Sequence, residues 1–411
     1  MDRRSSSSSS YASSLRAHFR SEPSEKTPLN GHTPSWTSER LPEAQQQKVM
    51  QILQACKDRN IAALASLAAS RDGFVEDEVR RTAWPVLMGC DDSNADAKAD
   101  WKTLPTHRDE DQVKLDVNRS FVYYPSGESE KQLEQRKEDL SDLITETLRR
   151  HPILCYFQGY HDIVQVFLLV LGRERAVSAI ARLSLLRIRD FMLPALSPAM
   201  PHLYLLPAII YVADPLLCRH ISGTQPYFAL AATLTLYAHD IQEYGDIARL
   251  FDFLLAREAV VSVYLYAVII LARKEELLEI PTDEPEMLHF TLSKLPQPLD
   301  LESLIEQTTY LFANHPPESL PFRAWRRISG NSVLKTTRDP TALSRQTIKD
   351  GERLFAKQAG ELRRQQMVEA ATKEMKRRLW TYRRPVVLTA AVAVGFLAWY
   401  IGMDSNFGVA K

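Results

Sequence analysis

Three long apolar segments lie between residues 154 and 272: "IVQVFLLVLG", "HLYLLPAIIYVADPLL" and "REAVVSVYLYAVIILA". Each could be a buried strand or a buried helix, because a continuous apolar run has no periodicity of its own. Their length and the scarcity of glycine, 14 in 411 residues, argue against a turn-rich sheet. The neighbouring segments are helical. Val49, Ile52, Leu53 and Cys56 recur at helical spacing, as do Leu133, Leu140, Leu143, Ile144 and Leu148, with Pro152 just beyond the last turn. The expectation is an all-α domain over residues 41–345, with its core packed from buried helices.

The flanks differ from this body. Residues 1–40 are rich in serine and poor in aliphatic side chains, so too little apolar surface is available to offset ordering entropy, and a disordered arm is expected. No apolar run follows the early arginines, so the arm does not read as a signal peptide. Residues 346–384 read as a basic helical linker. Residues 385–403, "PVVLTAAVAVGFLAWYIGM", are uncharged and long enough to cross a hydrocarbon core of about 30 Å at about 1.5 Å per residue. Lys373, Lys376, Arg377, Arg378, Arg383 and Arg384 precede the stretch, against the single acid Glu374, which marks a cytosolic flank. A tail-anchored arrangement is therefore expected, with residues 404–411 as a short lumenal tail. Ala391 and Gly395 form a small-xxx-small pair through which such a helix could dimerise.

Charge and motif content exclude several functions. Lys+Arg and Asp+Glu are balanced at 51 each, which argues against a nucleic-acid partner. No GxxxxGK[ST] or GxGxxG occurs, so the chain has no phosphate cradle of its own. Cys56, Cys90, Cys155 and Cys218 are scattered without CxxC spacing and read as reduced thiols.

Two stretches carry unusual polarity: "VKLDVNRSFVYYP", from Val113, and "LCYFQGYHDIVQVFLLVL", from Leu154. Asp116 and Arg119 can face each other at i, i+3 on a helix, and by themselves they read as a solvated ion pair. Gln158 reads equally as a buried amide satisfied by backbone, and His161 with Asp162 as a helix-start feature. A nucleophilic set of Cys155, His161 and Asp162 is a weaker alternative, since such groups usually come from distant segments. A metal site on His151, His161 and Asp162 lacks enough ligands at a recognisable spacing.

Read together, "VKLDVNR" matches the IxxDxxR signature of the TBC (Tre-2/Bub2/Cdc16) domain, with Val113 in the place of Ile, and "YFQG" matches its YxQ signature. "VRRTAWPVLMG", Val79 to Gly89, resembles the opening of the same domain through Arg81, Trp84, Pro85 and Gly89. The three blocks stand in the right order and cover roughly residues 75–315. "FQGYHDI", "LFANHPPESLPF" and the terminal apolar stretch resemble the family's tail-anchored branch at the endoplasmic reticulum.

The resemblance implies an all-α GTPase-activating domain whose partner is a Rab GTPase in its GTP form, here one of early secretory traffic. Arg119 is then an arginine finger and Gln158 a glutamine finger. Asp116 orients Arg119 or its helix, Tyr156 packs beneath the Gln loop, and Gly159 lets the backbone approach closely. No cofactor of its own is expected, because the Rab carries the GTP and Mg2+. The implied location is the endoplasmic reticulum membrane with the catalytic domain in the cytosol. The rival reading is a catalytically silent scaffold that binds a Rab or tethers membranes.

Overall fold

The computed structural model describes residues 41–90 and 100–406, without the side chains of 340, 342, 343, 379, 381–391 and 398–406. The expected disordered arm, residues 1–40, lies outside the described residues.

Every regular element among the described residues is helical. The longer helices are α1 (Glu43–Lys57), α2 (Ile61–Ala69), α3 (Asp77–Met88), α4 (Glu110–Val117), α5 (Glu130–Arg150), α6 (Tyr160–Leu186), α7 (Leu205–Ala213), α8 (Tyr244–Ala256), α9 (Val261–Ala272), α10 (Leu301–Asn314) and α11 (Ile348–Asn406). The apolar segments that were ambiguous in sequence became α6, α7 and α9. In α9 every residue from Val261 to Ile270 is buried, so this helix has no polar face. Helix α5 begins in a capping box, with Ser129 and Gln132 satisfying each other's backbone N–H, and ends at His151 before Pro152. The apolar stripe of α1 is narrower than its spacing suggests: Ile52 and Cys56 are buried, while Leu53 faces solvent.

A buried carboxylate organises the join between α3 and α8. Asp252 accepts from Trp84 Nε1 at 2.8 Å, from Arg80 Nε at 3.1 Å and from the Phe74 backbone N–H at 2.9 Å. The Trp84 ring sits against Phe167 of α6 and Phe251 of α8, with centroids 5.2 Å and 6.0 Å away. Gly89 ends α3 in the left-handed region at φ 67°, ψ 32°. The block "VRRTAWPVLMG" is therefore a packing unit: Trp84 fills the core, and Arg80 neutralises the carboxylate that holds the tryptophan.

Residues 346–384, expected as a linker, start as part of the helical body. Phe355, Gln358 and Leu362 of α11 are buried, and Gly351 lies so close to Leu185 of α6 that an added Cβ would stand 2.8 Å from that side chain. Gln358 joins Arg189 and Asp190 by two hydrogen bonds of 2.8 Å. Apolar residues spaced along a charged helix bury this first part, and the expected linker character begins only after Leu362, where nearly all side chains are exposed. Among the described residues no helix is long and apolar enough to cross a membrane. The backbone of α11 runs through the expected span, 385–403, but most side chains of that stretch lie outside the described residues.

Candidate functional site

Helix α4 is short, and its last turn delivers two residues with opposite fates. Asp116 points inward and is wholly buried; Arg119, one residue past the C-cap, keeps 61% of its side chain exposed while pairing with Asp116 Oδ1. Gln112 Nε2 donates to the same oxygen at 3.0 Å. The other oxygen accepts from the Tyr156 hydroxyl at 3.0 Å. The fully desolvated carboxylate thus has three side-chain partners, as a buried charge requires.

Tyr156 lies in the loop between α5 and α6, and its backbone N–H donates to Asp109 Oδ2 at 2.9 Å. Its ring meets Tyr160 edge-on at 6.0 Å. Burial pushes its hydroxyl well above the ordinary tyrosine range, and the Asp116 charge adds to the effect. The expectation that Tyr156 packs beneath the Gln loop left out this role: its hydroxyl joins that loop to α4.

Two residues further on, Gln158 is half-buried, and its amide has no hydrogen-bond partner among the described residues. Gly159 then enters α6 at φ 101°, in the left-handed region. A Cβ there would stand 2.6 Å from Thr235 Cγ2. Glycine answers two demands at once, a backbone turn and a close approach to the 235–240 segment. The structure joins Arg119, Asp116 and Tyr156 in one hydrogen-bonded set and places Gln158 and Gly159 on the loop that Tyr156 anchors.

The polar chain continues past the residues singled out for the fingers. His161 Nδ1 lies 3.1 Å from the Tyr156 hydroxyl, and its Nε2 lies 3.3 Å from Asp162 Oδ1. Asp162 Oδ2 lies 3.0 Å from His239 Nδ1. Burial alone would push the Asp162 carboxyl up; His161, His239 and Arg119 outweigh it and hold the carboxyl below its ordinary range. The hydrogen bond to Asp162 in turn raises the His239 ring above the usual histidine value, against its partial burial. His161 and Asp162 stood out in sequence as polar interruptions of an apolar run. His239, in "LYAHDI", had no signal, since only folding brings it to α6.

The alternatives weighed from the residues alone find other partners. The Cys155 thiol accepts from Arg108 Nη2 at 2.8 Å, and burial pushes it up, the opposite of an activated thiolate. His151 lies 3.1 Å from Glu352 of α11, while His161 is committed to Tyr156 and Asp162. No group of three or more His, Cys, Asp or Glu side chains among the described residues is placed to hold a metal.

The arrangement sets an arginine side chain, paired with a buried carboxylate and 61% exposed, near a carboxamide that has no hydrogen-bond partner among the described residues. Comparison with known proteins identifies the family. The Rab-GTPase-TBC domain family matches residues 77–278, a span that holds both side chains. TBC1 domain family member 20 of Bos taurus is 37% identical over 277 residues, covering 66% of this chain and 68% of its own length. The GTPase-activating protein gyp10 of Schizosaccharomyces pombe is 31% identical over 291 residues, covering 70% of this chain and 77% of its own. The crystal structure of the Ypt/Rab-GAP domain of Gyp1p shares the fold at a TM-score of 0.53 and 14% identity, over 66% of this chain and 99% of that domain. The chain belongs to the TBC family of Rab GTPase-activating proteins.

Proposed function

We propose that the protein accelerates GTP hydrolysis by a Rab GTPase of early secretory traffic, inserting Arg119 and Gln158 into the partner's nucleotide site. The observation that carries this reading is the state of the two side chains: Arg119 pairs with buried Asp116 through one guanidinium nitrogen while 61% of its side chain stays exposed, and Gln158 has an unspent amide.

Hydrolysis spreads negative charge over the transferring phosphoryl group and its leaving oxygen, so the catalyst acts by position and electrostatics. A planar guanidinium matches that charge with forked donors and stays protonated when desolvated. A carboxamide both donates and accepts, so Gln158 can hold the attacking water by its proton and its oxygen together. Each residue completes a site whose remaining parts, GTP and Mg2+, arrive with the Rab. Asp116 keeps the guanidinium oriented before the encounter, which lowers the ordering cost at the moment of binding.

The proposed location is the endoplasmic reticulum, with residues 385–403 as a membrane anchor and the helical body in the cytosol. Support comes from the uncharged apolar stretch, the basic residues before it and the resemblance to the tail-anchored branch. Ala391 and Gly395 are the proposed contact of a membrane-helix dimer.

The test is single-turnover GTP hydrolysis with residues 1–384 across a panel of Rabs. Strong acceleration of an early-secretory Rab supports the proposal; binding without acceleration of any Rab would leave the silent scaffold. A reporter fused to residues 385–411 should reach the endoplasmic reticulum, and a diffuse reporter would refute the anchor.

A further inference from the structure

The polar chain beyond Tyr156 has a direction that follows from counting protons. Asp116, paired with the Arg119 guanidinium, is a carboxylate and can only accept. The single Tyr156 hydroxyl proton is therefore spent on Asp116 Oδ2, 3.0 Å away. The tyrosine oxygen can then only accept from His161, so Nδ1 of that ring, at 3.1 Å, carries a hydrogen and donates. The far side of the ring stands beside a second acid. Its Nε2 lies 3.3 Å from Asp162, a carboxylate that His239 also holds. His161 is buried, so water does not compete for these positions.

We propose that His161 is a positioning residue that keeps Arg119 extended, acting through Tyr156 and Asp116. The inference rests on the finger role assigned to Arg119 above. By donating to the Tyr156 oxygen, His161 leaves the hydroxyl proton one direction, toward Asp116 Oδ2. That bond satisfies Oδ2 and places the tyrosine ring on that side of the carboxylate, while Arg119 pairs with Oδ1, which Gln112 shares. If the hydroxyl turns away, Oδ2 becomes an unpaired buried acceptor. A guanidinium forms two parallel bonds to a carboxylate whenever both oxygens are free. Arg119 then closes on both and draws its tip back from the surface where the partner's phosphates arrive. His161 thus sets how far the arginine reaches without touching the substrate. His239, on a segment remote in sequence, holds Asp162 and so supports His161 from behind.

The test uses the full chain with a Rab that it activates, and two substitutions of similar polarity. An asparagine amide nitrogen occupies nearly the place of a histidine Nδ1, whereas a glutamine amide reaches toward the place of Nε2. His161→Asn should keep kcat within about threefold of wild type, since it still donates to Tyr156. His161→Gln should lower kcat roughly ten- to a hundredfold, the usual penalty for misplacing a reacting group, with KM for the Rab changed less than about twofold. Tyr156→Phe should match His161→Gln, and the double variant should be no worse than either, because both break one path. Equal losses in His161→Asn and His161→Gln would overturn the proposal, as would losses that multiply in the double variant or that fall on KM. Arg119→Ala keeps the underlying reading separate. Full activity in that variant removes the finger role itself, while its inactivity beside a normal His161→Gln removes only the role of His161.

Discussion

Asp116 and Arg119 share an ion pair three residues apart, with the carboxylate wholly buried and the guanidinium side chain more than half exposed. A solvated surface pair would expose both partners and contribute little. Here the buried partner is tied to Gln112 and Tyr156, so the pair is a mount for the arginine tip.

Arg119→Ala should therefore remove most of the rate acceleration, about 10³–10⁵-fold in kcat as for arginine fingers generally. Its melting temperature should fall, because buried Asp116 loses its cationic partner, but the variant should stay folded at the assay temperature, since Gln112 and Tyr156 still bond the carboxylate. Arg119→Lys should recover little, lacking the planar fork. Gln158→Ala should also be severely impaired with its fold intact, and the combined loss should fall far short of the product of the two. kcat/KM with a cognate Rab, measured beside thermal melting, decides the matter. Wild-type rates in Arg119→Ala would end the assignment.

Gly159 at φ 101° meets Thr235, and this contact sets how the Gln158 loop enters α6. Gly159→Ala should cost about 1–2 kcal/mol for the left-handed backbone, more with the clash against Thr235 Cγ2, and should impair activity. Thr235→Ser removes the methyl but keeps a hydroxyl for the Ala231 carbonyl, so it should rescue part of the loss. Urea midpoints of the two single variants and the double variant test this. No rescue at all would mean that backbone strain alone is responsible.

Asp252 holds Trp84, Arg80 and the Phe74 N–H in a dry site. Asp252→Ala should destabilise the domain by about 3–5 kcal/mol, since it leaves buried Arg80 with Asp77 alone and the Trp84 and Phe74 N–H groups without an acceptor. Activity at low temperature should fall only in proportion to the folded fraction. A loss of kcat in fully folded Asp252→Ala protein would show a catalytic effect that the packing does not explain.

Asp240 gives a pH dependence with a definite sign. Burial raises its carboxyl to about 6, with His239 lowering and Asp162 raising it further, and its Oδ2 has no hydrogen-bond partner among the described residues. In the unfolded chain the group titrates near pH ~4. Between these values the folded protein keeps a proton that the unfolded chain has released. The stabilising contribution is complete at low pH and is lost as pH rises through about 6. Asp240→Asn should be more stable than wild type at neutral pH, by up to about 3 kcal/mol, and the gain should vanish near pH ~4. Denaturant midpoints at both ends of this range test it; an equal gain at both would rule out titration of Asp240 as the cause.

The helical class was legible in the sequence because hydrophobic spacing and the scarcity of glycine are local properties. α5 is the clearest case, with its stripe, capping box and terminal proline all encoded within its own residues. The apolar run that became α9 had no such signature, since a segment buried on every side has no polar face to reveal its period. The roles proposed for Arg119 and Gln158 rest on the resemblance of their surroundings; as residues alone they read as an ion pair and an amide.

By itself the sequence determined the helix-forming segments, the motif residues, the balanced charge and the apolar stretch at 385–403, each a matter of residue type and near-neighbour spacing. Tertiary structure decided which polar groups share a proton path. Tyr156 reaches Asp116 across 40 residues, and His239 reaches Asp162 across 77. A hydrogen bond requires two heavy atoms within about 3 Å of each other. Only the packing of α4, α6 and the 235–240 segment brings these side chains that close, so the direction of the chain that mounts Arg119 could not be read along the sequence.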